Sequence, residues 1–197
     1  MRGLVILLHG VGGNGANMAA LGEAMAPALP GVIFECPDGP HSSGRGREWF
    51  SVAGVTVENR PDRVLAARPS FDAVIQGLIQ QQGFADELNH VVFVGFSQGS
   101  IMALDALASG RWPIGAIVAF SGRLASPTPL SPSTVSPLLL VHGDADPIMP
   151  VSEAAAAADQ LKPFGVTAQI AIEPGLGHQV SSHGLELAVA FIQKALT

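Results

Sequence analysis

Six apolar runs of strand length recur along the chain, at residues 4–8, 32–34, 91–94, 114–120, 138–141 and 166–172, and most of them lack polar alternation. A strand that is apolar at successive positions needs both faces of its sheet covered, which is the situation of parallel strands flanked by helices. Stretches of helical character separate the runs, at residues 16–26, 70–82, 98–108, 153–162 and 184–196. In the second of these, Phe71, Val74, Ile75, Leu78 and Ile79 share one helical face. Strand and helix alternating in this way, with right-handed crossovers, build a three-layer α/β sandwich whose ligand site lies beyond the carboxyl ends of the strands.

The chain of 197 residues, 48% of them hydrophobic, is long enough for one sizeable core and is read as one domain, 1–197. Its 23 glycines and 15 prolines fall between the apolar runs as turn punctuation rather than in low-complexity tracts. With a net charge of −6 and only 13% charged residues, the chain has no source for a long cationic groove, so nucleic acid is not an expected partner. The lone Cys36 fits a reducing compartment, and a cytoplasmic location is expected. Met1-Arg2-Gly3 followed by the run 4–8 imitates a signal peptide, but that run is shorter than the usual apolar region of roughly 7–15 residues. No uninterrupted apolar stretch reaches the ~18 residues of a spanning helix, so stable membrane insertion is not expected. Segment 37–68 is the longest irregular stretch, with Trp49-Phe50 in its middle, and 121–137 is a second.

Val91-Val92-Phe93-Val94 runs into Gly95-Phe96-Ser97-Gln98-Gly99 and then into a helix-compatible segment. This is G-x-S-x-G in the strand, turn, helix setting that lifts a serine to the tip of a sharp elbow beside a helix N-terminus. Ser97 is therefore the candidate nucleophile, the alternative being an ordinary strand-to-helix turn. A serine hydroxyl needs a base within reach. His178, in Pro174-Gly175-Leu176-Gly177-His178, follows the last apolar run at a strand end, whereas His183 falls in or beside the final helix. The chain order of such sites favours His178 and places the orienting acid between serine and histidine. Two aspartates in His142-Gly143-Asp144-Ala145-Asp146-Pro147 compete for that role: Pro147 holds Asp146 in extended backbone, and Asp144 is suited to an Asx-turn within its own loop. His9 and His142, each before a glycine, read as structural.

After the first run comes His9-Gly10-Val11-Gly12-Gly13-Asn14-Gly15. An oxyanion hole in this architecture takes one N–H from that loop and one from the residue after the nucleophile, which gives Val11 and Gln98, acting through their backbones with little expected of their side chains. The same loop also spells G-x-G-x-x-G at Gly10, Gly12 and Gly15, with Glu35 twenty residues on, so a dinucleotide-binding Rossmann-like module is the rival reading. That rival leaves Ser97, Asp146 and His178 without a role.

These residues resemble the phospholipase/carboxylesterase family of α/β-hydrolases, which includes the acyl-protein thioesterases. Leu8-His9-Gly10, Cys36-Pro37-Asp38-Gly39-Pro40, Trp49-Phe50, Gly95-Phe96-Ser97-Gln98-Gly99, His142-Gly143-Asp144-Ala145-Asp146-Pro147 and Gly177-His178 stand in the family's order over nearly the whole chain. The resemblance implies a Ser97, Asp146, His178 triad, a Trp49-Phe50 loop bordering the acyl pocket, no cofactor and no metal. The first strand stands almost at the start of the sequence, so a sheet reduced at its N-terminal side is expected, and no extended lid is apparent, which implies an open, shallow groove tolerant of several acyl groups. A small or acyl-chain ester is the expected substrate, with oxygen ester and thioester equally compatible. A mean hydropathy of +0.37 fits either an acyl groove or a homodimer face. No H-E-x-x-H or Cys/His cluster points to zinc, and serine at position 97 disfavours dienelactone hydrolase and haloalkane dehalogenase chemistry. A non-catalytic binding protein on the same fold is the remaining alternative.

Overall fold

The computed structural model describes residues 1–197. In chain order its elements are β1 (Gly3–Leu8), α1 (Gly15–Met25), β2 (Val32–Glu35), β3 (His41–Ser43), β4 (Gly46–Glu48), α2 (Arg60–Gln81), β5 (Val91–Phe96), α3 (Gln98–Ala108), β6 (Ala116–Phe120), β7 (Leu138–Gly143), α4 (Ser152–Leu161), β8 (Ala168–Glu173) and α5 (Ser182–Ala195). Six strands form one sheet in the order β2-β1-β5-β6-β7-β8, and every neighbouring pair is parallel. β3 and β4 make a separate antiparallel hairpin.

Side chains alternate across the pleat and so divide the core in two. Leu4, Ile6 and Leu8 of β1 and Val91 and Phe93 of β5 join the apolar faces of α2, α3 and α4. Val5 and Leu7, with Val92 and Val94, join α1 and α5 on the other side. This is the three-layer α/β-hydrolase sandwich, and each Leu, Ile or Phe buried in it contributes about 1.5–3 kcal/mol. The strand order reverses between β1 and β5. The loops that leave their carboxyl ends separate there and open a crevice, and those loops carry Val11 and Ser97.

Two expectations change. The irregular stretch 37–68 contains the β3–β4 hairpin and the opening turns of α2, which begins at Arg60 and runs through Pro69. Proline lacks the N–H for its helical bond and disfavours helix at the residue before it, so the sequence suggests a start after it. Burial overrides that preference: Val64 and Ala67 continue the buried face of Phe71, Ile75 and Ile79, and Arg68 is held by a two-pronged ion pair to Asp105 at 2.9 and 2.8 Å. The last strand also departs from full burial. β8 lies at the sheet edge and leaves Ile170 and Ile172 exposed. No helix is long and apolar enough to cross a membrane.

Candidate active site

The elbow after β5 is built by close approach. A Cβ on Gly99 would stand 2.0 Å from the Leu8 carbonyl oxygen, and one on Gly95 would stand 2.5 Å from Ser100 N. Only glycine lets the strand, turn and helix pack so tightly. Ser97 itself sits at φ 53°, ψ −113°, a strained conformation for a residue with a side chain, and its N–H donates to Phe120 O at 3.0 Å. Its hydroxyl lies 3.0 Å from His178 Nε2. The other ring nitrogen, Nδ1, lies 2.7 Å from Asp146 Oδ2. Since a carboxylate only accepts, Nδ1 carries the proton and Nε2 is left to accept from Ser97. Phe96 packs against the imidazole, with ring centroids 4.9 Å apart.

The loops bearing Asp146 and His178 are stitched together. Asp144 N–H donates to Glu173 O at 3.1 Å, Ala145 N–H donates to Leu176 O at 3.0 Å, and a Cβ on Gly143 would meet Leu176 O at 2.1 Å. The two aspartates divide the work differently from the sequence expectation. Asp146, rather than Asp144, forms the local turn, its Oδ1 accepting from Ile148 N–H and Met149 N–H at 2.9 and 2.8 Å while Oδ2 faces His178. Asp144 instead reaches across to Gly175 N–H at 2.6 Å and anchors the histidine loop. Burial pushes the Asp146 carboxyl up, but the Met149, His178 and Ile148 hydrogen bonds outweigh it and hold the group below the usual carboxylate range. His183 is exposed on the first turn of α5, with its ring near Glu186, and is no part of this arrangement.

Val11 N–H has no partner within the protein, and Gln98 N–H opens α3, where first-turn donors lack intrahelical acceptors. The loop carrying Val11 is braced from outside: Gly12 N–H donates to Arg47 O at 2.9 Å and Arg47 N–H to Gly13 O at 2.7 Å. His9 acts as a spacer beneath it. Its Nδ1–H donates to Gly10 O at 2.7 Å, its Nε2 accepts from Gly39 N–H at 2.8 Å, and burial lowers its pKa, which keeps the ring neutral. The G-x-G-x-x-G loop does not offer a phosphate its helix terminus. Asn14 and Asn17 cap α1 reciprocally, the Asp38 carboxylate accepts from Gly15 N–H at 2.7 Å, and Glu35 is held by Gln82 Nε2.

A cavity of about 170 Å³ opens beside Ser97, walled by Phe50, Val52, Val55, Ile101 and Met149, with Arg60 and Arg123 also facing it. Trp49 is not in that wall. The indole is fully buried, stacked on His9 and donating from Nε1 to His9 O at 3.0 Å, so it supports the site from below while Phe50 lines it. Gln98 also departs from expectation: its side-chain amide binds the backbone of both residues. Arg60 and Arg123 were not foreseen. Arg123, just past the end of β6, was findable from its place at a strand carboxyl end, but Arg60 was hidden by the misplaced start of α2.

Fold and triad-like arrangement together define an α/β-hydrolase of the serine type. The chain belongs to the phospholipase/carboxylesterase family, whose description it matches over residues 1–196. It is 35% identical to "Esterase YpfH" of Escherichia coli (strain K12) over 188 residues, covering 94% of this chain and 80% of that protein. It is 26% identical to "Acyl-protein thioesterase 1 homolog 1" of Dictyostelium discoideum over 205 residues, covering 98% of this chain and 90% of that one. Among solved structures, esterase PE8 superimposes with a TM-score of 0.86 at 34% sequence identity, covering 99% of this chain and 93% of the other.

Proposed function

We propose that the protein hydrolyses carboxylic esters of small acyl groups by way of an acyl-enzyme on Ser97, with His178 as base, Asp146 as its orienter, and Val11 and Gln98 N–H as oxyanion donors. The observation that carries this reading is the continuous chain Ser97 Oγ, His178 Nε2, His178 Nδ1, Asp146 Oδ2, with separations of 3.0 and 2.7 Å at its two hydrogen bonds. His178 takes the hydroxyl proton as Ser97 attacks the carbonyl, and the oxyanion forms against the two backbone donors. The same proton passes from Nε2 to the departing alkoxide, leaving the acyl ester on Ser97. Water then enters, His178 removes its proton, and the free acid is released with the serine restored. Asp146 keeps the ring in the required tautomer without taking the proton. A thiolate leaves with less help from an acid, so thioesters fit the same steps.

The 197 residues serve as one domain in this reading, with a small ester as partner, no role for nucleic acid, and a reducing, cytoplasmic setting for Cys36. The exposed Ile170 and Ile172 of the β8 edge give a homodimer one apolar surface to cover. The test is hydrolysis of p-nitrophenyl esters from acetate to palmitate, beside a palmitoyl thioester, by the wild type and Ser97→Ala. Turnover concentrated on short acyl groups and absent from Ser97→Ala is expected. Activity that survives the substitution contradicts the reading.

A further inference from the structure

The cavity beside Ser97 is apolar over most of its wall, yet two arginines line it, Arg60 at the start of α2 and Arg123 just after β6. Their own partners do not saturate them. Arg60 makes no side-chain hydrogen bond or ion pair. Arg123 pairs with Glu153 Oε1 at 3.4 Å, and its Nε is turned toward the sulfur of Met149, a weak acceptor. Burial, followed by repulsion from Arg123, pulls the Arg60 pKa down, and Glu153 and Glu58 offset this only in part. Glu58 is itself exposed. The cavity thus has more positive charge than its own carboxylates neutralise, in a chain whose net charge is −6. A half-buried cation of this kind is satisfied by an anion brought in with a ligand.

The side of the scissile bond on which that anion lies follows from His178. The leaving group must receive its proton from His178 Nε2, and His178 is no part of the cavity wall, whereas Ser97, Val11 and Gln98 are. The cavity therefore takes the acyl side. At about 170 Å³ it is well below the ~300–1,000 Å³ of a site for a drug-sized ligand and suits a short chain.

We infer that the preferred acyl group is a short chain ending in a carboxylate, held by Arg60 and Arg123, so that the natural substrates are monoesters or monothioesters of small dicarboxylic acids. The inference rests on the ester-hydrolase reading of Ser97. The apolar side chains of Phe50, Val52, Val55 and Ile101 pack the stem, and the arginine pair selects the end.

The test compares monomethyl glutarate with methyl pentanoate, which match in length and differ in the terminal charge, and adds 4-acetoxybutanoate, which carries its carboxylate on the alcohol side. Hydrolysis is followed by acid release for the wild type, Arg60→Gln and Arg123→Gln, and each protein is also labelled at Ser97 with a fluorophosphonate. Wild type is expected to favour monomethyl glutarate over methyl pentanoate in kcat/KM by about tenfold or more, the scale of one charge-assisted hydrogen bond. That ratio should shrink toward one in Arg60→Gln, fall in Arg123→Gln, and decline with added salt in the wild type. Labelling without preference for the glutarate ester overturns the inference and leaves the hydrolase reading standing. So does a preference that survives both substitutions, or one that appears only for 4-acetoxybutanoate. Failure of labelling together with absence of turnover removes the hydrolase reading, and this inference with it.

Discussion

The side-chain amide of Gln98 clasps the backbone at Trp49: its Oε1 accepts from Trp49 N–H at 2.8 Å, and its Nε2 donates to Phe50 C=O at 2.7 Å. One residue therefore places a backbone N–H beside Ser97 and also fixes the segment that walls the acyl cavity. Gln98→Ala keeps the first function and loses the second. Two buried backbone groups lose their partners, at about 1–3 kcal/mol each. Urea denaturation should show a loss on that scale, and kcat/KM for short esters should fall while fluorophosphonate labelling of Ser97 persists. Unchanged stability would mean that water replaces the amide without cost.

Gly46, in the hairpin, touches the loop bearing Val11 from behind. A Cβ there would lie 2.0 Å from Gly12 O and 2.8 Å from Gly13 O, both backbone atoms that cannot swing aside. Gly46→Ala should displace the loop bearing Val11, lowering kcat more than it raises KM, because the displaced donor acts on the transition state. Titration of reactive Ser97 with a fluorophosphonate, run beside steady-state kinetics on p-nitrophenyl acetate, separates this from a general loss of folded protein.

Asp105 is fully buried between α2 and α3 and receives Arg68, Arg111 and Ser126. Arg111 continues to Asp72, which also accepts from Trp112 Nε1 at 2.7 Å. Removing the shared carboxylate leaves Arg68 without its ion pair and Arg111 with Asp72 alone, so Asp105→Ala should cost about 3–5 kcal/mol of stability by chemical denaturation. Active-site labelling of the protein that remains folded should be retained.

Asp146 and His9 both shape the response to acid. The Asp146 carboxyl is held below its usual range in the folded protein, so its contribution is present above the unfolded value of about 4 and is lost as pH falls through the folded value. His9 is lowered by burial, so it too favours the folded state above its unfolded pKa of about 6.5, and that contribution falls away below it. Thermal unfolding between pH 8 and pH 3 should show Tm declining first below about 6.5 and again below about 4. His9→Asn should lack the first step.

Cys36 has its thiol pushed up to about 11, by burial and then by the neighbouring Glu35. Near pH 8 only about one thiol in a thousand is ionised, so alkylation by iodoacetamide should run far slower than that of a free cysteine.

The elements that position the site were legible because their signals are local. β5, the elbow and α3 follow from Gly95 to Gly99 and the apolar runs on either side, and α3 begins at Gln98 and ends at Ala108 as the sequence indicated. That Ser97, His178 and Asp146 meet at one end of the sheet follows from chain order and strand ends. What escaped depends on contacts distant in sequence. Helix formation through Pro69 rests on burial of Val64 and Ala67 and on the reach of Arg68 to Asp105, none of which local propensity records. The same holds for Trp49, whose indole could have faced ligand or core until His9 was seen to stack on it. That Asp144 anchors the histidine loop instead of turning back on its own loop depends on its reach to Gly175, 31 positions away.

The most direct test of the central claim is rapid-quench mass spectrometry of the protein mixed with p-nitrophenyl acetate, run beside Ser97→Ala. The expected result is a transient acetyl adduct on the peptide carrying Ser97, with adduct and turnover both lost in Ser97→Ala, turnover falling by on the order of 10⁴-fold or more. Turnover that persists in Ser97→Ala, or an adduct that maps to another residue, would contradict the assignment of Ser97 as the nucleophile.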